Sequence, residues 1–223
     1  MTLTLFTYDW LPEFPRGFVR DMRVRWGLEE LGRPYRVETV PVHPKSEAHR
    51  RMQPFGQVPV IRDGDLTLFE SGAILLHLGE GGALMPEPRR AAVTQWLFAA
   101  LNTVEIASSH WMQMVLAGRF PDFFGPAPAA AVKEHARQGM DARLAPLEQE
   151  LAGRDWLAGD FSIADIAMVE VLRVLEAEGA LADYPALTAY VGRGTDRPAF
   201  KKAMADHMAH WEAADSAPAA GRA

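Results

Sequence analysis

Residues 55–78 read FGQVPVIRDGDLTLFESGAILLHL. Two short apolar runs, Val58–Ile61 and Leu66–Phe69, flank Arg62-Asp63-Gly64-Asp65. An Asp-Gly pair between two such runs is a hairpin signal, because the tight turn needs positive φ that glycine adopts without steric cost. Glu70 to Gly79 then reads as a helix with Ile74, Leu75 and Leu78 on one face.

Upstream, Thr2 to Thr7 alternates polar and apolar residues and reads as a strand. A loop from Tyr8 to Pro15 follows, and Phe18 to Leu31 has helical spacing that stops at Gly32 and Pro34. Tyr35 to Val42 reads as a second strand, and the stretch between it and the hairpin as a short irregular segment. Downstream, Gly79-Glu-Gly-Gly with Pro86 and Pro88 marks a linker, after which no strand is evident. Helical patterns cover Arg89–Leu116, Ala129–Leu151, Ser162–Glu176, Tyr184–Val191 and Pro198–Trp211, with a Pro-, Phe- and Gly-rich break at Phe120–Pro128. The expected organisation is an α/β domain over residues 1–80, an all-α domain over 88–213 and a flexible tail over 214–223.

Composition narrows the function. The formal net charge of −6 argues against nucleic-acid binding, which needs a clustered excess of Lys and Arg. No cysteine is present, which excludes disulfides, thiolate metal sites and an enzyme-borne thiol nucleophile. The seven histidines show no metal-ligand spacing, and His207 and His210 read as a solvated surface rather than a metal site. No apolar run approaches the roughly 20 residues of a membrane span, and the N-terminus lacks the basic and apolar regions of a signal peptide. A cytoplasmic protein with no membrane partner is the expectation.

Gln57-Val58-Pro59, the hairpin and Glu70-Ser71, at these separations, resemble the glutathione-binding half of cytosolic glutathione transferases. Gly159-Asp-Phe-Ser-Ile-Ala-Asp-Ile-Ala resembles that family's helical-domain folding signature. The likeness covers roughly residues 1–211 and implies a thioredoxin-like N-terminal domain followed by an all-helical one. It also implies a cis bond before Pro59, which costs an X-Pro bond only ~0.5–1 kcal/mol, and backbone pairing of Val58 with the cysteinyl part of glutathione. At Glu70-Ser71 the Ser71 hydroxyl and N–H suit the γ-glutamyl carboxylate, aided by the helix N-terminus, and the Glu70 carboxylate suits the ammonium. The bland alternative makes Ser71 an N-cap and Glu70 a complement to the helix dipole. For the glycine carboxylate the candidates are His43, Lys45 and Gln57. Ser162 and Asp165 form a capping box, with Phe161 and Ile166 as its hydrophobic staple.

The thiol-activating position departs from the family. A free thiol has a pKa of ~8.5 and must be lowered to react near neutrality. The family supplies Tyr, Ser or Cys near the first strand end or first helix start, and aligning on Arg23-Val-Arg-Trp-Gly-Leu-Glu-Glu-Leu-Gly places Phe18 there. Phenylalanine offers no donor. Tyr8 and Arg16 are therefore the catalytic candidates, against a strand-end aromatic and a solvated charge respectively. The resemblance places a hydrophobic co-substrate between the two domains, near Trp10, Asn102, Glu105, Ile106, Ser109 and Trp111.

Two main readings follow. One is a glutathione transferase that joins the thiolate to a hydrophobic electrophile or reduces hydroperoxides, with glutathione as co-substrate and no metal or resident cofactor. The other is a non-catalytic glutathione-binding or protein-interaction relative, favoured by Phe18. A glutathione-dependent isomerase is a third. The resemblance further implies a homodimer, through the third helix and the long Arg89–Leu116 helix.

Overall fold

The structure, a computed structural model, describes residues 2–216. In chain order its elements are β1 (Leu3–Tyr8), α1 (Asp21–Glu30), β2 (Tyr35–Val40), α2 (Glu47–Met52), β3 (Val60–Asp63), β4 (Leu66–Phe69) and α3 (Ser71–Gly79). There follow α4 (Arg90–Ala99), α5 (Glu105–Arg119), α6 (Pro121–Phe124), α7 (Ala130–Leu151), α8 (Ile163–Ala177), α9 (Pro185–Thr195) and α10 (Pro198–Ser216). The described residues form two compact units, one of residues 2–86 with 195–216 and one of Glu87–Gly194.

In the first unit the sheet order is β2-β1-β3-β4, with β1 parallel to β2 and antiparallel to β3, and β3 antiparallel to β4. This is the thioredoxin-like arrangement. Side chains alternate across a strand, and here both faces are covered. Leu3, Leu5 and Ile61 pack with Val24 and Leu28 of α1 and with Ile74 and Leu78 of α3. Phe6 and Val60 point the other way, into a cluster with Val40 and the partly buried Met52.

Three departures from the sequence reading have clear causes. The irregular segment before the hairpin contains α2, whose six residues carry no apolar period; it is started instead by Ser46, whose hydroxyl accepts the His49 N–H at 3.1 Å. The helix expected from Phe18 begins at Asp21, because residues 16–18 form a 3-10 turn and Val19 is extended (ψ 134°). The long helix expected over Arg89–Leu116 is one run with a π-helical turn at Ala100–Val104 between α4 and α5.

The compact units divide the chain differently from the expected domains. α10 belongs with the first unit. Trp26 of α1 meets Phe200 edge-on at 5.0 Å, and Glu30 takes both Nε and Nη2 of Arg197 at 2.6 and 2.7 Å. Residues 214–216 of the expected tail are the last residues of α10, while 217–223 lie outside the described residues.

In the second unit the capping box at the start of α8 is present. The Ser162 N–H reaches Asp165 Oδ2 at 2.9 Å, and the Ser162 hydroxyl accepts the Ala164 N–H. Asp165 also accepts the Leu157 N–H and the Tyr190 hydroxyl at Oδ1, so one buried carboxylate ties α8 to α9 and to the preceding loop. Phe161 and Ile166, the expected staple pair, are both buried.

Candidate functional site

The sheet register fixes where the site residues meet. Phe6 pairs with Val60, and Val60 pairs with Phe69. One step further, the end of β1 (Tyr8), the approach to β3 (Val58-Pro59) and the exit from β4 (Glu70-Ser71) lie at one end of the sheet. The Val58–Pro59 bond is cis, as the resemblance implies.

Glu70 has φ 69° and ψ 115°, the one positive φ at a non-glycine residue among the described residues. Holding an L-residue there costs about 1–3 kcal/mol, a kind of strain that concentrates at functional sites. Its carbonyl accepts the Ile74 N–H and so closes the first turn of α3, while its side chain makes no capping bond and is exposed. Glu70 therefore occupies the N-cap, and Ser71 is the first helical residue. The reading of Ser71 as a simple N-cap does not describe this geometry. Ser71 is buried, and Arg23 Nη1 donates to its Oγ at 3.2 Å.

A second group gathers around Tyr8. Its hydroxyl lies 3.5 Å from the Gly56 carbonyl and 3.3 Å from Lys45 Nζ, and Nζ sits 4.9 Å from the ring centroid. Gly56 has φ +63°, and a Cβ there would stand 2.4 Å from Lys45 Cδ, so the lysine stem needs glycine beneath it. The 53–57 turn is fastened from below. Buried His49 Nε2 contacts the Gln57 carbonyl at 2.9 Å, and buried Gln53 Oε1 accepts the Gln57 N–H at 3.2 Å. Arg23, His49 and Gln53 were not singled out in the sequence. A lone histidine and a glutamine before a proline carry no spacing signal, and Arg23 touches Ser71 only across 48 residues of chain. Of the glycine-carboxylate candidates, Lys45 is the one brought to Tyr8; His43 and Gln57 are exposed.

Arg16 is not a solvated charge, and its guanidinium is already ion-paired. It is buried, with Nε and Nη2 donating to the Leu11 carbonyl at 2.8 and 2.6 Å, and Nη1 and Nη2 meeting Asp215 at 2.5 and 2.7 Å. Hydrogen bonding to Asp215 raises its pKa. Trp10, expected beside the co-substrate, donates its indole N–H to the same Asp215 at 2.8 Å. His207 and His210 are not solvated surface either. His207 is fully buried with Nε2 2.6 Å from the Arg16 carbonyl, and His210 Nε2 lies 2.9 Å from the Tyr8 carbonyl.

In the second unit, Asn102 is exposed on the π-helical turn and Glu105 is half-buried just after it. Trp111 is buried beneath the Arg137 guanidinium, 5.6 Å from its centroid, on a cavity of about 520 Å³. Trp111 thus faces α7, apart from exposed Asn102. Among the described residues, no group of three His, Cys, Asp or Glu could hold a metal ion, and no helix is long and apolar enough to cross a membrane.

Comparison with known proteins bears on this geometry. Residues 14–80 match the N-terminal domain of glutathione S-transferases, and 108–198 match the C-terminal domain. Glutathione S-transferase 4 of Zea mays is 35% identical over 169 residues, covering 70% of this chain and 72% of that protein. Glutathione S-transferase 3 of Zea mays is 32% identical over 204 residues, covering 82% and 88%. Among solved structures, glutathione S-transferase-I bound with lactoylglutathione superimposes with a TM-score of 0.74 at 27% identity, covering 92% of this chain and 99% of that one. A Burkholderia graminis glutathione transferase with two glutathione molecules per subunit gives 0.73 at 26%, covering 91% and 87%.

Proposed function

The chain belongs to the glutathione S-transferase family, and from that premise we propose that it binds glutathione at the end of the sheet and delivers the thiolate to a hydrophobic electrophile or a hydroperoxide. The observation that carries this is the strained Glu70 backbone at the N-cap of α3. A helix opening with free N–H groups and a hydroxyl suits the γ-glutamyl carboxylate. The exposed Glu70 carboxylate suits the ammonium, and the backbone N–H and carbonyl of Val58 suit the cysteinyl unit. Lys45, next to Tyr8, suits the glycine carboxylate.

For thiol activation Tyr8 is the group we assign. Between Tyr8 and Arg20 it carries the only side-chain hydroxyl, and Arg16 is committed to Asp215. A phenol donating to sulfur stabilises the thiolate over the thiol and lowers its pKa. The second reading, a binder without catalysis, is favoured by Phe18 and by the contacts that already occupy the Tyr8 hydroxyl. We read the active form as a homodimer. Phe98 and Ile106, 50% and 62% exposed on the run through α4 and α5, support it, and the mass in solution by light scattering tests it.

Ultraviolet titration of the bound thiol separates the readings. The expected result is a thiolate band appearing well below the ~8.5 of a free thiol, and returning toward it in Tyr8→Phe. Binding with an unshifted thiol makes the protein a binder, and absence of binding overturns both readings.

A further inference from the structure

We propose that the last three turns of α10 clamp the loop between β1 and α1, with Asp215 and His210 as positioning residues for Tyr8. This rests on the assignment of Tyr8 made above. After Tyr8 the chain leaves the sheet, its last regular bond running from the Asp9 N–H to the Val40 carbonyl at 3.0 Å. From there to the 3-10 turn at residues 16–18 it is held largely from α10. The contacts come from His207, His210, Trp211 and Asp215. These positions, spaced by three, four and eight, share one helical face.

Each contact is chemically specific. A carbonyl only accepts, so His210 carries its proton on Nε2 to donate to Tyr8 at 2.9 Å. His207 reaches the Arg16 carbonyl at 2.6 Å. Asp215 takes three donors on two oxygens: Nη1 and Nη2 of Arg16, a bidentate fork, and the indole N–H of Trp10. Trp10 and Trp211 each place a ring within 6 Å of the Arg16 guanidinium, at 5.7 and 5.8 Å. A loop rich in proline and lacking ladder partners is thereby fixed at Tyr8, Trp10 and Arg16. The backbone that carries the phenol is held at its carbonyl by a helix residue 202 positions further along the chain.

The test compares wild type, Asp215→Ala, Asp215→Glu and His210→Ala, using two readouts. Amide hydrogen exchange over residues 9–18 needs no glutathione. The Asp215 carboxylate is about half exposed, so its loss is expected to speed exchange there about fivefold, with Asp215→Glu partly restoring protection. Glutathione titrations should then show a raised thiol pKa and lower kcat in Asp215→Ala and His210→Ala, with KM for glutathione changed less than twofold. Unaltered exchange overturns the clamp. Faster exchange with unaltered thiol pKa and kcat overturns the positioning role. If wild type itself fails to activate glutathione, the functional reading falls, the positioning role falls with it, and the exchange arm still decides the clamp.

Discussion

Arg23 Nη1 stands 3.2 Å from Ser71 Oγ, with both side chains buried. A guanidinium only donates, so the serine oxygen is the acceptor and its own hydrogen is left for a second partner. Arg23 thereby leaves the Ser71 hydroxyl free to act as a donor, which the proposed γ-glutamyl carboxylate would need.

Ser71→Ala is therefore expected to weaken glutathione binding by about 1–3 kcal/mol, the range for a hydrogen bond to a charged group. Titration calorimetry checks this. Arg23→Met should weaken binding in the same direction while Ser71 is still present. Unchanged affinity in Ser71→Ala removes the γ-glutamyl placement.

Gly56→Ala is expected to damage binding and stability together. The backbone there has φ +63°, and the new methyl would meet the Lys45 stem at 2.4 Å. Strain at a left-handed position costs about 1–3 kcal/mol, and displacing Lys45 removes its contact with Tyr8. Pairing urea unfolding with a glutathione titration tests both effects.

Acid unfolding has a specific contributor in Asp21, fully buried at the start of α1 and facing His207 of α10. Burial pushes its pKa up, but His207 and Arg25 more than offset this and hold it at about 2, against an ordinary value of 3.8. Because the folded pKa is the lower one, the stabilisation is present above about pH 4 and is lost as pH falls toward about 2; a shift of this size is worth about 2 kcal/mol. Asp21→Asn should unfold more readily at pH 7 and show a shallower decline in stability between pH 4 and 2, measured by denaturant melts across that range.

In the second unit, Ser162→Ala should cost about 0.5–2 kcal/mol as a lost N-cap. Asp165→Ala should cost more, because that carboxylate also serves the Leu157 N–H and the Tyr190 hydroxyl. Thermal or urea unfolding ranks the two, and equal losses would mean the extra bonds contribute nothing.

The hairpin and the start of α3 were legible in the sequence because each is dictated locally: Asp63-Gly64 sets a turn, and Glu70-Ser71 follows β4 directly; the cis bond before Pro59 came only from the family resemblance. The capping box at Ser162 and Asp165 was legible for the same reason, its partners being three residues apart. What escaped is long-range. Arg16 looks like a solvated charge until Asp215, 199 residues later, is seen beside it. His207 and His210 look like the polar face of a terminal helix until that face is found against Arg16 and Tyr8. Helix α2 was missed because its signal is one serine cap rather than an apolar period.

The π-helical turn at Ala100–Val104 acts as a phase offset. One extra residue in a helix rotates everything after it by about 100° relative to an uninterrupted α-helix. Here that rotation decides which side chains of α5 meet α7, and it puts Trp111 beneath Arg137. Deleting a single residue from this turn would leave the amino acids of α5 unchanged, yet swing Trp111, Met112 and Leu116 off their buried face. The register of the whole helix is thus set by one surplus position, and small insertions or deletions there act on the chain as a dial.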